Sequence, residues 1–112
     1  MSEGREVTDY LIDILQCLEE IEEFTTGFDF QTFSSDRKTI NAVLRSLEVM
    51  GEAAKHIPEA IRQVSPEIPW KSMAGLRDVL IHDYMGVDLR TVWNVVQDRL
   101  PGLPPLLKKL IS

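Results

Sequence analysis

The sequence has a single cysteine, fewer basic than acidic residues, and no long run of apolar residues. One thiol, Cys17, excludes a disulfide within the chain and is typical of the reducing cytoplasm, where we expect this protein to reside. No stretch approaches the ~20 apolar residues of a membrane-spanning helix, so we expect no membrane partner. With 12 Lys and Arg against 18 Asp and Glu, the net charge is −6. This charge argues against DNA bound along a broad basic face and allows RNA only at a small local site.

Spacings typical of metal sites are also missing. The sequence contains no CxxC or HExxH motif, and its two histidines, His56 and His82, lie far apart along the chain. Because metal ligands in proteins usually recur at short, characteristic spacings, we expect neither a metal nor another cofactor.

Apolar residues at three- and four-residue steps run along most of the chain, which is the spacing of amphipathic helices. This pattern predicts a first helix over about residues 5–25, ended by Gly27. A second helix is predicted to start at a cap formed by Ser34 or Ser35 and to stop before Pro58, where a short helix follows.

The second half of the chain repeats this pattern. A third long helix is predicted over residues 70–84, Asp88 caps a fourth, and a short terminal helix ends near Ile111. No strand-like alternation interrupts the helices. We therefore predict an all-α fold, an antiparallel bundle of four main helices with short extra helices, formed by residues 1–112 as a single domain.

The stretch RDVLIHDY, residues 77–84, places polar side chains in the third helix. At 100° per residue, Arg77 falls inside the apolar arc of that helix, so its guanidinium needs a partner or an aqueous cleft. One interpretation is a structural ion pair with Glu48 or Glu52 on the second helix. The other is a cleft that binds an anionic ligand. We expect Arg77 to line a cleft.

The other polar residues of this stretch also have two interpretations each. His82 lies about 140° around the helix from Arg77 and is either a structural histidine or a proton-transfer group. Asp78 and Asp83 either support its imidazole or are solvated surface residues. Tyr84 lies on the apolar arc, as a core aromatic residue with a solvated hydroxyl or as a reactive one.

The order Arg77, four residues, His82, one residue, Tyr84 resembles the signature of the HepT-like toxins, within the HEPN superfamily of helical ribonucleases. "GEA", "IPW" and "VDLRTVW" around this motif make the match specific. The similarity covers nearly the whole chain, from "YLIDILQCLEEIEEF" to "LPGLPPLLKKL". One departure is Asp78, where related domains often carry Asn.

The resemblance implies a HEPN-like domain that acts as a metal-independent endoribonuclease, the toxin of a type VII-like toxin-antitoxin pair. It implies that His82 moves protons and that Arg77 stabilises the charge of the phosphorane, with Asp78 and Asp83 in support. The implied partner is a minimal nucleotidyltransferase antitoxin that silences the toxin by transferring AMP to Tyr84. One alternative is a non-catalytic helical module that binds a nucleotide or a partner in a nucleotidyltransferase complex. A second is that the chain is only the substrate of its nucleotidyltransferase, with Tyr84 as the important residue and no cleavage.

The angle between Arg77 and His82 has a consequence for assembly. Both groups must reach one phosphate, yet they diverge on a straight helix. A two-fold contact between third helices would bring the motif of each chain to a shared axis. We therefore expect a homodimer with the two motifs facing each other.

Overall fold

The computed structural model describes the backbone of residues 5–82 and 86–112, and the side chains of 5–76 and 86–112. Within this part of the chain there are seven α-helices and no strand, which confirms the all-α prediction. None of these helices is long and apolar enough to span a membrane. The helices are α1 (Val7–Thr25), α2 (Phe30–Ser35), α3 (Arg37–Lys55), α4 (Glu59–Val64), α5 (Trp70–His82), α6 (Leu89–Asn94), which continues into a π-helical turn (Val95–Arg99), and α7 (Leu103–Ile111).

The core lies where α3 packs between α1 and α5. Helix α1 is antiparallel to α3, since Tyr10 near its start stacks on His56 at the end of α3. Most of the described apolar residues at helical spacing are buried, as their periodicity predicted, and others are partly buried against them. The largest fully buried side chains are Phe33, Ile14, Ile21, Leu47, Met50, Ile68, Leu107 and Val43.

The predicted cap of the second long helix is wrong. Asp36 caps α3, because its carboxylate accepts the Thr39 amide hydrogen at 3.2 Å. Ser34 and Ser35 lie instead in the last turn of α2, and their hydroxyls donate to the Gln31 carbonyl. An N-cap residue has a non-helical backbone, as Asp36 has, whereas both serines still belong to α2.

Helix α2 lies between the first and second predicted helices, where the sequence pattern predicts no helix. It begins after Asp29, whose carboxylate accepts the Thr32 amide hydrogen at 2.8 Å. This bond and the Thr32 hydroxyl lower the pKa of Asp29. The helix is held by Phe33, which is completely buried and lies 5.1 Å from the ring of Trp93. Tertiary burial therefore stabilises a helix that is too short to form alone.

Other predicted boundaries are confirmed. Gly27 follows the end of α1 with a φ of +83°, a conformation that costs glycine little. Pro58 is the N-cap of α4. The carboxylate of Asp88 accepts the Arg90 amide hydrogen at the start of α6.

One side chain joins α4 to the C-terminal end of α3. Arg62 donates from Nε to the Ile57 carbonyl at 2.9 Å and from a terminal nitrogen to the Ala54 carbonyl at 3.0 Å. The last carbonyls of a helix have no partner within the helix and carry partial negative charge. Arg62 therefore closes the end of α3 and fixes the turn at Pro58.

We predict that Arg62→Ala lowers the free energy of unfolding by about 1–2 kcal/mol, because it leaves the partly buried Ile57 carbonyl without its donor and removes one of the donors to the Ala54 carbonyl. Urea denaturation followed by circular dichroism measures this change. Arg37→Ala is the matched control and should cause no loss, since it removes a cation from the N-terminal turn of α3, where a cation is unfavourable. Equal unfolding midpoints for Arg62→Ala and wild type would contradict this role.

Candidate active site

The helix that carries the predicted motif is firmly positioned at its start. The indole nitrogen of Trp70 donates to the Ser65 carbonyl at 3.0 Å in a buried position. The Met73 amide donates to the Pro69 carbonyl at 3.0 Å, which begins the regular helical bonding of α5. Met73 is 2 % exposed. The first turn of α5 is therefore anchored in the core.

The predicted helix over residues 70–84 is confirmed as far as His82. Arg77, Asp78 and His82 all lie on α5, while Asp83 and Tyr84 lie outside the described residues, as do the side chains of residues 77–82. In the register of α5, position 77 comes one turn after Met73. Position 82 lies about 7.5 Å further along the axis and about 140° around it. The backbone of one chain therefore does not place positions 77 and 82 on one face.

The two predicted ion-pair partners of Arg77 already contact groups on their own helix. Glu48 accepts a hydrogen bond from Arg45 at 2.8 Å. An oxygen of Glu52 lies 3.3 Å from Nε2 of His56. That Arg77 pairs with either glutamate, and that it lines a cleft, both stay predictions.

Asp88 fixes the start of α6 just beyond the motif. Its carboxylate accepts from the Thr91 hydroxyl and from the Arg90 amide, each at 3.0 Å. These bonds, the one from Thr91 foremost, lower the pKa of Asp88. The side chain of Arg90 then lies over the ring of Phe30, with its guanidinium carbon 3.7 Å from the ring centroid. The exposed guanidinium of Arg90 therefore lies six residues after Tyr84 in the sequence.

A groove runs beside α5, between this helix and the π-helical turn that follows α6. Its volume is about 410 Å³. Its apolar side is formed by Met50, Met73, Leu76, Val95, Leu100 and Leu103, and its polar rim by Glu67, Ser72, Asp98 and Arg99. The sequence pattern missed this groove because it predicts one regular helix after the cap at Asp88. The Leu100 amide instead donates to the Val95 carbonyl five residues earlier, at 3.1 Å.

A second polar cluster, also missed, lies between α1 and α3. The rings of Tyr10 and His56 stack with centroids 4.5 Å apart. The guanidinium of Arg5 lies over Tyr10 and pairs with Asp13. The bond to Asp13 is the main cause that raises the pKa of Arg5. These contacts join the chain before α1 to the two helices.

Cys17 is buried at 5 % exposure. Loss of hydration on burial is the main cause that raises the pKa of its thiol to about 11. A thiol with this pKa is protonated at neutral pH and is a poor nucleophile. Cys17 is therefore a packing residue of the core and not a candidate nucleophile.

Comparison with known proteins identifies the family. The sequence profile of the HepT-like family, described as "Ribonuclease HepT-like", matches residues 14–110. A protein of Thermococcus cleftensis named "Probable ribonuclease HepT" is 49 % identical over 102 residues, which are 91 % of this chain and 93 % of that protein.

Two further relatives carry the name "Putative RNase". One, from Methanocaldococcus jannaschii, is 44 % identical over 88 % of this chain and 81 % of its own length. The other, from Caldanaerobacter subterraneus, is 39 % identical over 92 % of each. No solved structure matches the chain. The profile match covers α5 and nearly all of the helical bundle, and the chain therefore belongs to the HepT-like ribonuclease family.

Proposed function

We propose that this protein is a metal-independent endoribonuclease and the toxin of a type VII-like toxin-antitoxin pair. The observation that carries the proposal is the family match over residues 14–110, which includes the whole of α5 with Arg77 and His82. Relatives that align with nearly all of this chain are named as ribonucleases.

The proposed reaction uses the RNA itself as the source of the nucleophile. The 2′-oxygen attacks the neighbouring phosphorus, the bond to the 5′-oxygen breaks, and a 2′,3′-cyclic phosphate forms. His82 moves a proton from the 2′-hydroxyl or to the leaving 5′-oxygen, since an imidazole titrates near neutral pH. Arg77 stabilises the additional negative charge of the phosphorane. An internal nucleophile needs no metal-activated water.

The two acidic residues beside these groups are assigned a supporting role. A carboxylate close to an imidazole favours its protonated form and thereby raises its basicity. Asp78 stands where related domains often carry Asn, and Asp83 directly follows His82 in the sequence. Both are proposed to tune His82 and not to bind the phosphate.

The register of α5 supports a site shared by two chains. Positions 77 and 82 are separated by about 140° around the helix and about 7.5 Å along it. A proton-transfer group and a charge-stabilising group must both reach one phosphate. In a homodimer with facing α5 helices, each site takes Arg77 from one chain and His82 from the other. The doubled arginines also give an acidic protein a local site for RNA.

We predict that Arg77→Ala and His82→Ala each reduce RNA cleavage in EDTA by about 100-fold or more. Cleavage of a labelled RNA by the purified proteins measures this loss, and circular dichroism checks that the helices remain. His56→Ala is the matched control, because it removes the other histidine, which is exposed at the end of α3. Wild-type activity in both motif variants would contradict the catalytic roles of Arg77 and His82. RNA binding without cleavage by the wild type would favour the non-catalytic module instead.

For regulation, we predict that the cognate minimal nucleotidyltransferase and ATP add AMP to Tyr84. The tyrosine oxygen attacks the α-phosphorus of ATP, and pyrophosphate leaves. The bulky anion then competes with an RNA phosphate for Arg77. Mass spectrometry of peptides should locate the adduct on Tyr84 and find none in Tyr84→Phe. The other tyrosine provides the control, since Tyr10→Phe should be fully modified. An adduct on a different residue would refute this mode of silencing.

The shared site predicts complementation between inactive chains. When Arg77→Ala and His82→Ala chains are unfolded together and refolded in equal amounts, half of the dimers are mixed, and each mixed dimer has one intact pair. We expect about a quarter of wild-type cleavage. No recovery, with mixed dimers demonstrated by two affinity tags, would place both groups on one chain. A monomer that cleaves RNA normally would exclude the dimer site altogether.

A further inference from the structure

The groove between α5 and the π-helical turn lies close to the proposed reaction. Two of its lining residues, Met73 and Leu76, come four residues and one residue before Arg77 on α5. On an α-helix these steps are about 6 Å and 1.5 Å along the axis. A base attached to a nucleotide next to the reacting phosphate is therefore within reach of the groove.

The interior of the groove suits a flat aromatic ring. Met50, Met73, Leu100 and Leu103 are all at least nine-tenths buried, so they form a fixed apolar floor. Methionine side chains adapt their shape and make favourable contacts with aromatic rings. The volume of about 410 Å³ falls within the range of small-ligand sites. Single-stranded RNA is commonly recognised through bases that leave the stack and enter such sites.

The rim of the groove carries complementary hydrogen-bonding groups. Asp98 and Arg99 are neighbours on the π-helical turn, both are exposed, and neither forms an ion pair with another residue in the described part of the chain. Glu67 lies on the same rim. The rim therefore offers carboxylate acceptors and a forked guanidinium donor at one opening. Turns of π-helix occur often at functional sites.

Guanine is the base whose edges match both the guanidinium and the carboxylate, each through two hydrogen bonds. Its O6 and N7 are two adjacent acceptors for the fork of an arginine, and its N1–H and N2–H groups are two adjacent donors for a carboxylate. Adenine, cytosine and uracil offer no edge with two adjacent acceptors together with an edge with two adjacent donors. The net negative rim also disfavours a phosphate inside the groove, so the backbone stays outside, toward Arg77.

We propose that this groove binds a guanine base of the RNA, next to the phosphate that is cleaved, with Arg99 and Asp98 reading its two edges. The inference rests on the proposed ribonuclease function for its substrate. It assigns base preference to residues on the π-helical turn, outside the motif on α5.

The experiment measures binding apart from cleavage. His82→Ala protein is titrated into labelled oligouridines that carry one guanine, one adenine, one cytosine or no substitution, and fluorescence anisotropy reports the affinity. We expect the oligonucleotide with guanine to bind about tenfold more tightly than the others. Arg99→Gln and Asp98→Asn, each in the His82→Ala background, should reduce this preference to about twofold or less.

Arg90→Gln is the matched control. It also removes one exposed arginine charge, from α6, but Arg90 lies over Phe30 and does not line the groove. This variant should weaken binding of all four oligonucleotides equally and leave the guanine preference unchanged. Equal affinity for the four oligonucleotides, or binding of none, would overturn the proposal. A change of oligomeric state in the Arg99 or Asp98 variants, with the guanine preference intact, would also overturn the proposal. The groove would then be an interface between two copies of this chain.

Cleavage by wild type separates this inference from the function on which it rests. If wild type cleaves RNA without regard to base, the proposed ribonuclease function is supported and the guanine site is contradicted. If the protein prefers guanine in binding but wild type cleaves no RNA, the guanine site is supported and the ribonuclease function is contradicted.

Discussion

The packing of α3 between α1 and α5 is the constraint on which the rest of the structure depends. Because α3 contacts a long helix on either side, its small residues Gly51, Ala53 and Ala54 are all buried. Close approach of α5 to α3 in turn holds Met73 in the core and sets the direction of the helix on which Arg77 and His82 lie. The position of the proposed active site is therefore a consequence of core packing, while its chemistry comes from the residues that follow Met73.

Much of this fold was predictable because helical periodicity reports burial directly. The bounds of α1, the end of α3 before Pro58 and the cap at Asp88 follow from local sequence. Local sequence failed where several groups compete for one role. Asp36 and two serines lie within three positions, and only the folded chain shows that the serine hydroxyls donate back into α2. Helix α2 itself depends on the burial of Phe33, which periodicity within six residues does not reveal.

The motif of the candidate site was predictable from the sequence, but the groove beside it was not. The order of the motif residues indicates the family, and the family profile covers them. The angle between positions 77 and 82 follows from helix geometry alone. The groove beside them did not follow, because its walls come from α3, the segment before α5 and the chain after α6. Contacts between such distant segments, and the departure from α-helical bonding after Asn94, arise only from tertiary packing.

The π-helical turn has a consequence for comparing relatives of this chain. Its hydrogen bond spans five residues where an α-helix spans four, so the segment holds one residue more than a regular turn of the same length. Deleting one residue between positions 95 and 99 would restore a regular helix and leave α7 in its place. It would also rotate the remaining side chains of this turn by about 100°. Family members with a one-residue gap at this point of a sequence alignment would therefore lack the rim pair that Asp98 and Arg99 form in this chain.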